Sequence, residues 1–200
     1  MCVTIEPDEI KERYEMLYVT RHGETTWNAS GFVCGRADVP LTEKGQKQAE
    51  ILAEKVAQLE ITVTKIIHSP LQRAKVTAQA VADKLQLPME MDERLVEMDF
   101  GEYDGMPSHE TVFQEARQEF AIRFPNGESV LDVYARVVPL IEECLADKEN
   151  IYLLVCHNAL IRIMNAYFHP MPNATFFDFF VDNTELVVFD SLNDSLSIKR

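Results

Sequence analysis

Three apolar runs, at residues 17–20, 63–68 and 151–156, constrain this chain more than any other feature. The last reads Ile151-Tyr152-Leu153-Leu154-Val155-Cys156. None alternates apolar with polar residues, so each predicts a strand buried on both faces. Apolar side chains at helical spacing fall between them. Residues 41–59 carry Leu41, Ala49, Leu52, Ala53, Val56 and Leu59, with Thr42 as N-cap. Further helices are predicted at 71–85, at 129–146 with Ser129 as N-cap, and at 159–167. Residues 86–91 return toward the sheet, and 185–190 and 196–199 close the chain as strands. The fold class is therefore α/β, a three-layer α/β/α sandwich around a mostly parallel central sheet. No repeat or linker interrupts residues 16–200, which read as one domain. Residues 1–15 read as an N-terminal extension, either a docking helix or a frayed arm.

In open α/β sheets ligands bind beyond the carboxyl ends of the strands. That rule directs attention to the residues after Thr20, His68 and Cys156. Arg21-His22-Gly23-Glu24-Thr25 follows the first, with Trp27 and Asn28 one turn on. Ser69-Pro70-Leu71-Gln72-Arg73 follows the second, and His157 the third. Two histidines and two arginines thus converge on one sheet mouth. Arginine forks bind phosphoryl oxygens with paired, charge-assisted hydrogen bonds. A neutral imidazole is a capable nucleophile near neutral pH. The glycine-punctuated stretch 94–105 adds carboxylates that can pass a proton to a leaving alkoxide.

The formal net charge is −14, which argues against a nucleic-acid partner and requires any anion site to be a local cluster of cations. No run is long and apolar enough for a membrane helix, and residues 1–15 lack the apolar core of a secretory signal. The four cysteines, Cys2, Cys34, Cys144 and Cys156, have no metal-ligand spacing and read as reduced thiols. A cytoplasmic protein is expected.

The ordered motifs resemble the histidine phosphatase superfamily, the phosphoglycerate mutase-like family. Arg21-His22-Gly23-Glu24-Thr25 with Trp27-Asn28 resembles its opening motif. Asp38-Val39-Pro40-Leu41-Thr42-Glu43-Lys44-Gly45 resembles its D-x-P-L-T-x-x-G, and Ser69-Pro70-Leu71-Gln72-Arg73-Ala74 with Thr77-Ala78 its S-x-L-x-R-A-x-x-T-A. Leu95-Val96-Glu97 through Gly101-Glu102-Tyr103-Asp104-Gly105 resembles L-x-E-x-x-x-G-x-W-E-G, and Asn126-Gly127-Glu128-Ser129 resembles G-G-E-S. The resemblance implies a histidine phosphatase domain over residues 16–200, with His22 as phosphoryl acceptor and Glu97 as proton donor. Arg21, Arg73, Asn28 and His157 would hold the phosphoryl oxygens, with Cys34 and Asn158 also at the substrate. It implies no metal and no cofactor, and a small-molecule phosphate ester as partner.

The chain departs from that pattern at Asn158, where glycine is usual, at Cys34, where Thr or Gln is common, and at Tyr103, where Trp is usual. The resembling mutases carry a longer, more basic segment than residues 107–124, which offer Arg117, Arg123 and His109. The phosphatase branch is favoured over a phosphoglycerate-type mutase on that ground. A non-catalytic binding module is disfavoured because His22, Arg21, Arg73, Glu97 and His157 are all present. Arg162 reads as a helix anchor held by an ion pair, His68 as a wall residue, and His109 and His169 as exposed. The Phe176, Phe177, Phe179 and Phe180 run reads as core plus a packed loop, with an apolar face for a homodimer as the alternative.

Overall fold

The computed structural model describes residues 16–190 and 197–199. The expected extension at 1–15, with Cys2, lies outside the described residues. A six-stranded sheet runs in the order β3-β2-β4-β1-β5-β6. Its strands are β1 (Met16–Arg21), β2 (Lys65–His68), β3 (Met89–Met91), β4 (Tyr152–Cys156), β5 (Leu186–Asp190) and β6 (Ser197–Lys199). The pairs β3–β2, β2–β4 and β4–β1 are parallel, and β1–β5 and β5–β6 are antiparallel.

The helices are α1 (Thr26–Ser30), α2 (Glu43–Ala57), α3 (Gln72–Leu85), α4 (Thr111–Ala116), α5 (Val130–Ala146), α6 (Asn158–Phe168) and α7 (Asn173–Phe176). The Thr42 and Ser129 hydroxyls accept from the Gly45 and Asp132 N–H groups, as the predicted N-caps require. At α5 the Asp132 carboxylate reaches back to the Ser129 N–H, completing a capping box. α4 and α7 were not foreseen.

Successive strand residues face opposite sides of the sheet, and both sides are apolar. Leu17, Val19, Leu154 and Phe189 pack against α5 and α6 through Val133, Val137, Leu160 and Met164. Tyr18, Leu153, Val155 and Val188 pack against α2 and α3 through Leu52, Val56, Ala78 and Val81. These two cores are the physical reason the strands lack alternation.

Two glycines fix the first turn of the site. A Cβ on Gly23 would strike the Gly45 carbonyl, and one on Gly45 would strike the Glu24 backbone. The loop after β1 and the start of α2 therefore interlock at backbone distance. Gly101, at φ +54, lets the loop after Glu97 turn beneath the Pro125 carbonyl, where any side chain would collide.

Candidate active site

The carboxyl ends of β1 and β4 lie side by side, and the His22 N–H donates to the Cys156 carbonyl at 3.1 Å just beyond them. His22 is buried at the floor of a cavity of about 380 Å³. Its Nδ1 lies 2.7 Å from the Gly23 carbonyl oxygen. A carbonyl can only accept, so Nδ1 carries the proton and Nε2 presents a lone pair. Burial first, then the charges of Arg73 and Arg21, hold the imidazole pKa well below its ordinary value.

Arg73, in the first turn of α3, is fully buried beneath His22. Its Nε donates to His22 Nε2 at 3.2 Å, its Nη1 to the Ala37 carbonyl at 2.7 Å and its Nη2 to the Gly35 carbonyl at 2.6 Å. His157 stands beside His22, with ring centroids 5.1 Å apart. Its Nε2 lies 2.7 Å from Ser69 Oγ, and its buried Nδ1 has no hydrogen-bond partner among the described residues. Burial, then Arg73, also lowers its pKa well below the ordinary range. Arg21 donates from Nη1 to the Val181 carbonyl at 3.1 Å, lies over the Phe180 ring, and leaves its Nε unpaired.

Glu97 is 5% exposed and lines the same cavity. Burial raises its carboxyl pKa, although the Met98 N–H donates to Oε1 at 2.8 Å and Arg73 opposes the shift. The Glu97 carbonyl is held by Arg136, which also pairs with Glu128 and reaches the Arg94 carbonyl. Glu102, by contrast, is exposed and meets Asn126. Asp104 accepts from the Gly35 and Ala37 N–H groups, so it shapes the loop whose carbonyls hold Arg73.

Asn28, Cys34 and Asn158 line the cavity as well. The Asn28 side-chain oxygen accepts from the Thr25 N–H, so half of its amide caps α1. The Asn158 oxygen accepts from Val181 N–H at 3.0 Å, tying α6 to the segment that carries Phe180. Burial pushes the Cys34 thiol up, so it stays protonated at neutral pH.

Three expectations are corrected, at Arg162, His169 and His68. Arg162 is not held by an ion pair: among the described residues its Nε donates to the Phe179 carbonyl at 3.1 Å, and its side chain lines the cavity. His169 is half-buried against Phe189, not exposed, while His109 is exposed. His68 is buried, with Nδ1 2.7 Å from the Ser69 carbonyl, and lies outside the cavity lining. Phe176 joins the core, and Phe177 and Phe180 face the cavity. Of the basic residues offered by 107–124, Arg117 lines the cavity from beyond α4, and sequence reasoning missed Asn183, whose side chain donates to the His22 carbonyl at 2.8 Å.

Among the described residues no group of His, Cys, Asp and Glu is placed to hold a metal, and no helix is long and apolar enough to cross a membrane. Cys34, Cys144 and Cys156 are free thiols.

Known proteins share this arrangement of elements. Phosphoserine phosphatase 1 of Hydrogenobacter thermophilus is 31% identical over 181 residues, 86% of this chain and 84% of that protein. A protein of Erwinia tasmaniensis named "Probable phosphoglycerate mutase GpmB" is 33% identical over 74% of this chain and 72% of its own length. The 6-phosphofructo-2-kinase/fructose-2,6-bisphosphatase of Caenorhabditis elegans is 36% identical over 78% of this chain, which spans only 34% of that protein. Among solved structures, a mycobacterial glucosyl-3-phosphoglycerate phosphatase complexed with VO3 superposes with a TM-score of 0.77 at 29% identity, over 87% of this chain and 92% of that one. The profile of the histidine phosphatase superfamily (branch 1) matches residues 17–200. With nearly the whole described fold inside that match, the chain belongs to the histidine phosphatase superfamily.

Proposed function

We propose that the protein is a phosphomonoesterase that hydrolyses small phosphate esters through a phosphohistidine on His22, without a metal. The observation that carries this reading is a neutral His22 lining the cavity, its Nδ1 proton held by the Gly23 carbonyl and its Nε2 lone pair accepting from Arg73 Nε at 3.2 Å, a hydrogen bond that Nε2 exchanges for phosphorus on attack, with Arg21 beside it. The Nε2 lone pair attacks phosphorus as the P–O bond to the leaving group breaks. Glu97, whose raised pKa favours the acid form, delivers its proton to the departing oxygen. Water then attacks the phosphohistidine, Glu97 takes back a proton, and orthophosphate leaves with His22 restored. Arg21 and Arg73 stabilise the equatorial oxygens, and the unpaired Nδ1 of His157 is a buried polar atom that such an oxyanion can engage.

The superfamily membership and the phosphatase relatives support hydrolysis. A phosphomutase is the second reading, because several relatives carry that name. From residues 107–124 only Arg117 faces the cavity among the basic residues: Arg123 pairs with Asp132 in solvent and His109 is exposed. That meagre set favours access of water to the phosphohistidine. The cytoplasm is the compartment that the free thiols suit.

The test is phosphate release from p-nitrophenyl phosphate and a panel of small esters in excess EDTA. Turnover that EDTA leaves intact is expected. Isomerisation of phosphoglycerates without phosphate release would favour the mutase, and dependence on added metal would overturn the metal-free mechanism.

A further inference from the structure

Glu97 stands on a stretch without regular structure. Residues 96–100 form neither helix nor strand, so no ladder of backbone hydrogen bonds fixes where its carboxyl sits. A displacement of about 1 Å in a catalytic group can cost on the order of a hundredfold in rate. Helix α5 supplies the missing support. Arg136, in its second turn, sends Nη1 to the Arg94 carbonyl at 2.5 Å and Nη2 to the Glu97 carbonyl at 3.3 Å. Its Nε and Nη2 also grip the Glu128 carboxylate, each at 3.1 Å. Glu128 returns to the same stretch. Its Oε2 accepts from the Asp99 N–H at 3.0 Å, and its own N–H donates to the Asp99 carbonyl at 2.9 Å. One ion pair therefore touches the backbone before, at and after Glu97.

The side chains of Arg136 and Glu128 are each 18% exposed, so solvent screens them less than it does a surface pair. All three guanidinium nitrogens are engaged, toward the carboxylate on one side and two carbonyls on the other. A planar fork can do this, whereas an ammonium presents its donors from one point. Neither Arg136 nor Glu128 lines the cavity. The ionisable groups that face the Glu97 carboxyl are Arg21 from β1, Arg73 from α3, Arg136 from α5, Arg162 from α6, and Cys34 and Cys156. Burial is the largest influence on that carboxyl and raises its pKa, and the charge of Arg136 is among those that oppose the rise.

We infer that Arg136, paired with Glu128, is a positioning residue for the proton donor: it holds the peptide that carries Glu97 at the cavity and faces its carboxyl with a fixed positive charge, without touching the substrate. The inference rests on the reading of Glu97 as the general acid.

The test compares Arg136→Lys, Arg136→Gln and Glu97→Gln with the wild type on two esters. Propyl phosphate has a leaving group that needs a proton, and p-nitrophenyl phosphate has one that hardly does. For each, kcat/KM is followed from pH 5 to 9. Arg136→Lys keeps the charge and loses the fork. It should lose at least about tenfold on propyl phosphate and less than about threefold on p-nitrophenyl phosphate. Arg136→Gln should show the same selectivity. Its falling limb on propyl phosphate should also move to higher pH, because activity is lost as the acid ionises and a higher pKa delays that loss. Arg136→Lys should leave the limb in place. Glu128→Gln breaks the pair from the other side and carries the ester comparison if the Arg136 variants do not fold. Equal losses on the two esters while Glu97→Gln is selective, or a limb that Arg136→Gln leaves unmoved, would overturn the inference alone. Equal losses in Glu97→Gln itself would refute Glu97 as the acid, and the inference with it.

Discussion

His22 and Glu97 are displaced in opposite directions by the same burial. Desolvation disfavours the imidazolium at one and the carboxylate at the other. Both shifts favour the protonation states that the first step needs, a neutral nucleophile and an acid that holds its proton more tightly. Glu97→Gln keeps the shape and loses the proton. It should slow alkyl phosphates by roughly a hundredfold or more, the usual contribution of a positioned general acid. p-Nitrophenyl phosphate, whose leaving group hardly needs a proton, should lose far less. Steady-state rates on both esters check this, and an equal loss on both would remove the acid role from Glu97. Arg21, His22, Arg73 and His157 could be grouped from the sequence because each follows a strand end, whereas Glu97, six residues past β3, was singled out only by its place in the family motif. Arg162 was not legible, although the sequence held a clue. The positions three and four residues from it are Asn158, Ala159, Asn165 and Ala166, none of them acidic. An ion pair within the helix was therefore closed from the start, and a lone arginine in an apolar helix pointed toward a cavity.

Helix α5 shows how an element positions the site. Its Ser129–Asp132 capping box fixes where the helix begins, two residues after Glu128. Glu128 in turn receives Arg136 from the same helix and the Asp99 N–H from the Glu97 loop. Ser129→Ala removes the hydroxyl that satisfies the Asp132 N–H, and should lower stability by about 1 kcal/mol. Urea unfolding of the two proteins measures it, and an unchanged midpoint would deny the cap its role. Long elements were readable from spacing and caps. The antiparallel placement of β5 beside β1 was not, since an apolar run does not encode its direction. α4 and α7, of six and four residues, are too short for a helical period to register. They are nevertheless the segments that carry Phe113, bring Arg117 to the cavity and place Phe176.

Across the molecule the same buried groups couple folding to pH. His22 and His157 have folded pKa values well below the ordinary 6.5, so below that pH the unfolded chain takes up protons that the folded chain refuses. Their contribution to stability is present above pH 6.5 and is lost as pH falls through the folded values. Glu97 acts oppositely, because its raised pKa makes the folded chain bind its proton more tightly. The imidazoles begin to take up protons in the unfolded chain just below pH 6.5, so stability should fall as pH drops from 6.5 toward 5, by up to about 1.4 kcal/mol per pH unit for each refused proton, and the Tm should fall with it. Thermal melts of the wild type and His157→Gln across that range are the check. The variant should show a shallower slope, and identical slopes would mean that the imidazole is not held neutral by the fold. The net charge of −14 sets the wider field, within which the arginines of the cavity form a local positive well.

A phosphoryl group trapped on His22 is the decisive observation. The enzyme would be mixed with a small phosphate ester, quenched in alkali within the first turnover, digested and read by mass spectrometry, because phosphohistidine survives alkali. The mechanism predicts one phosphoryl group on the peptide carrying His22, rising before phosphate appears and absent from His22→Ala, which should release no phosphate. Phosphate release by His22→Ala at a rate near the wild type, or a phosphoryl group found on another residue, would contradict it.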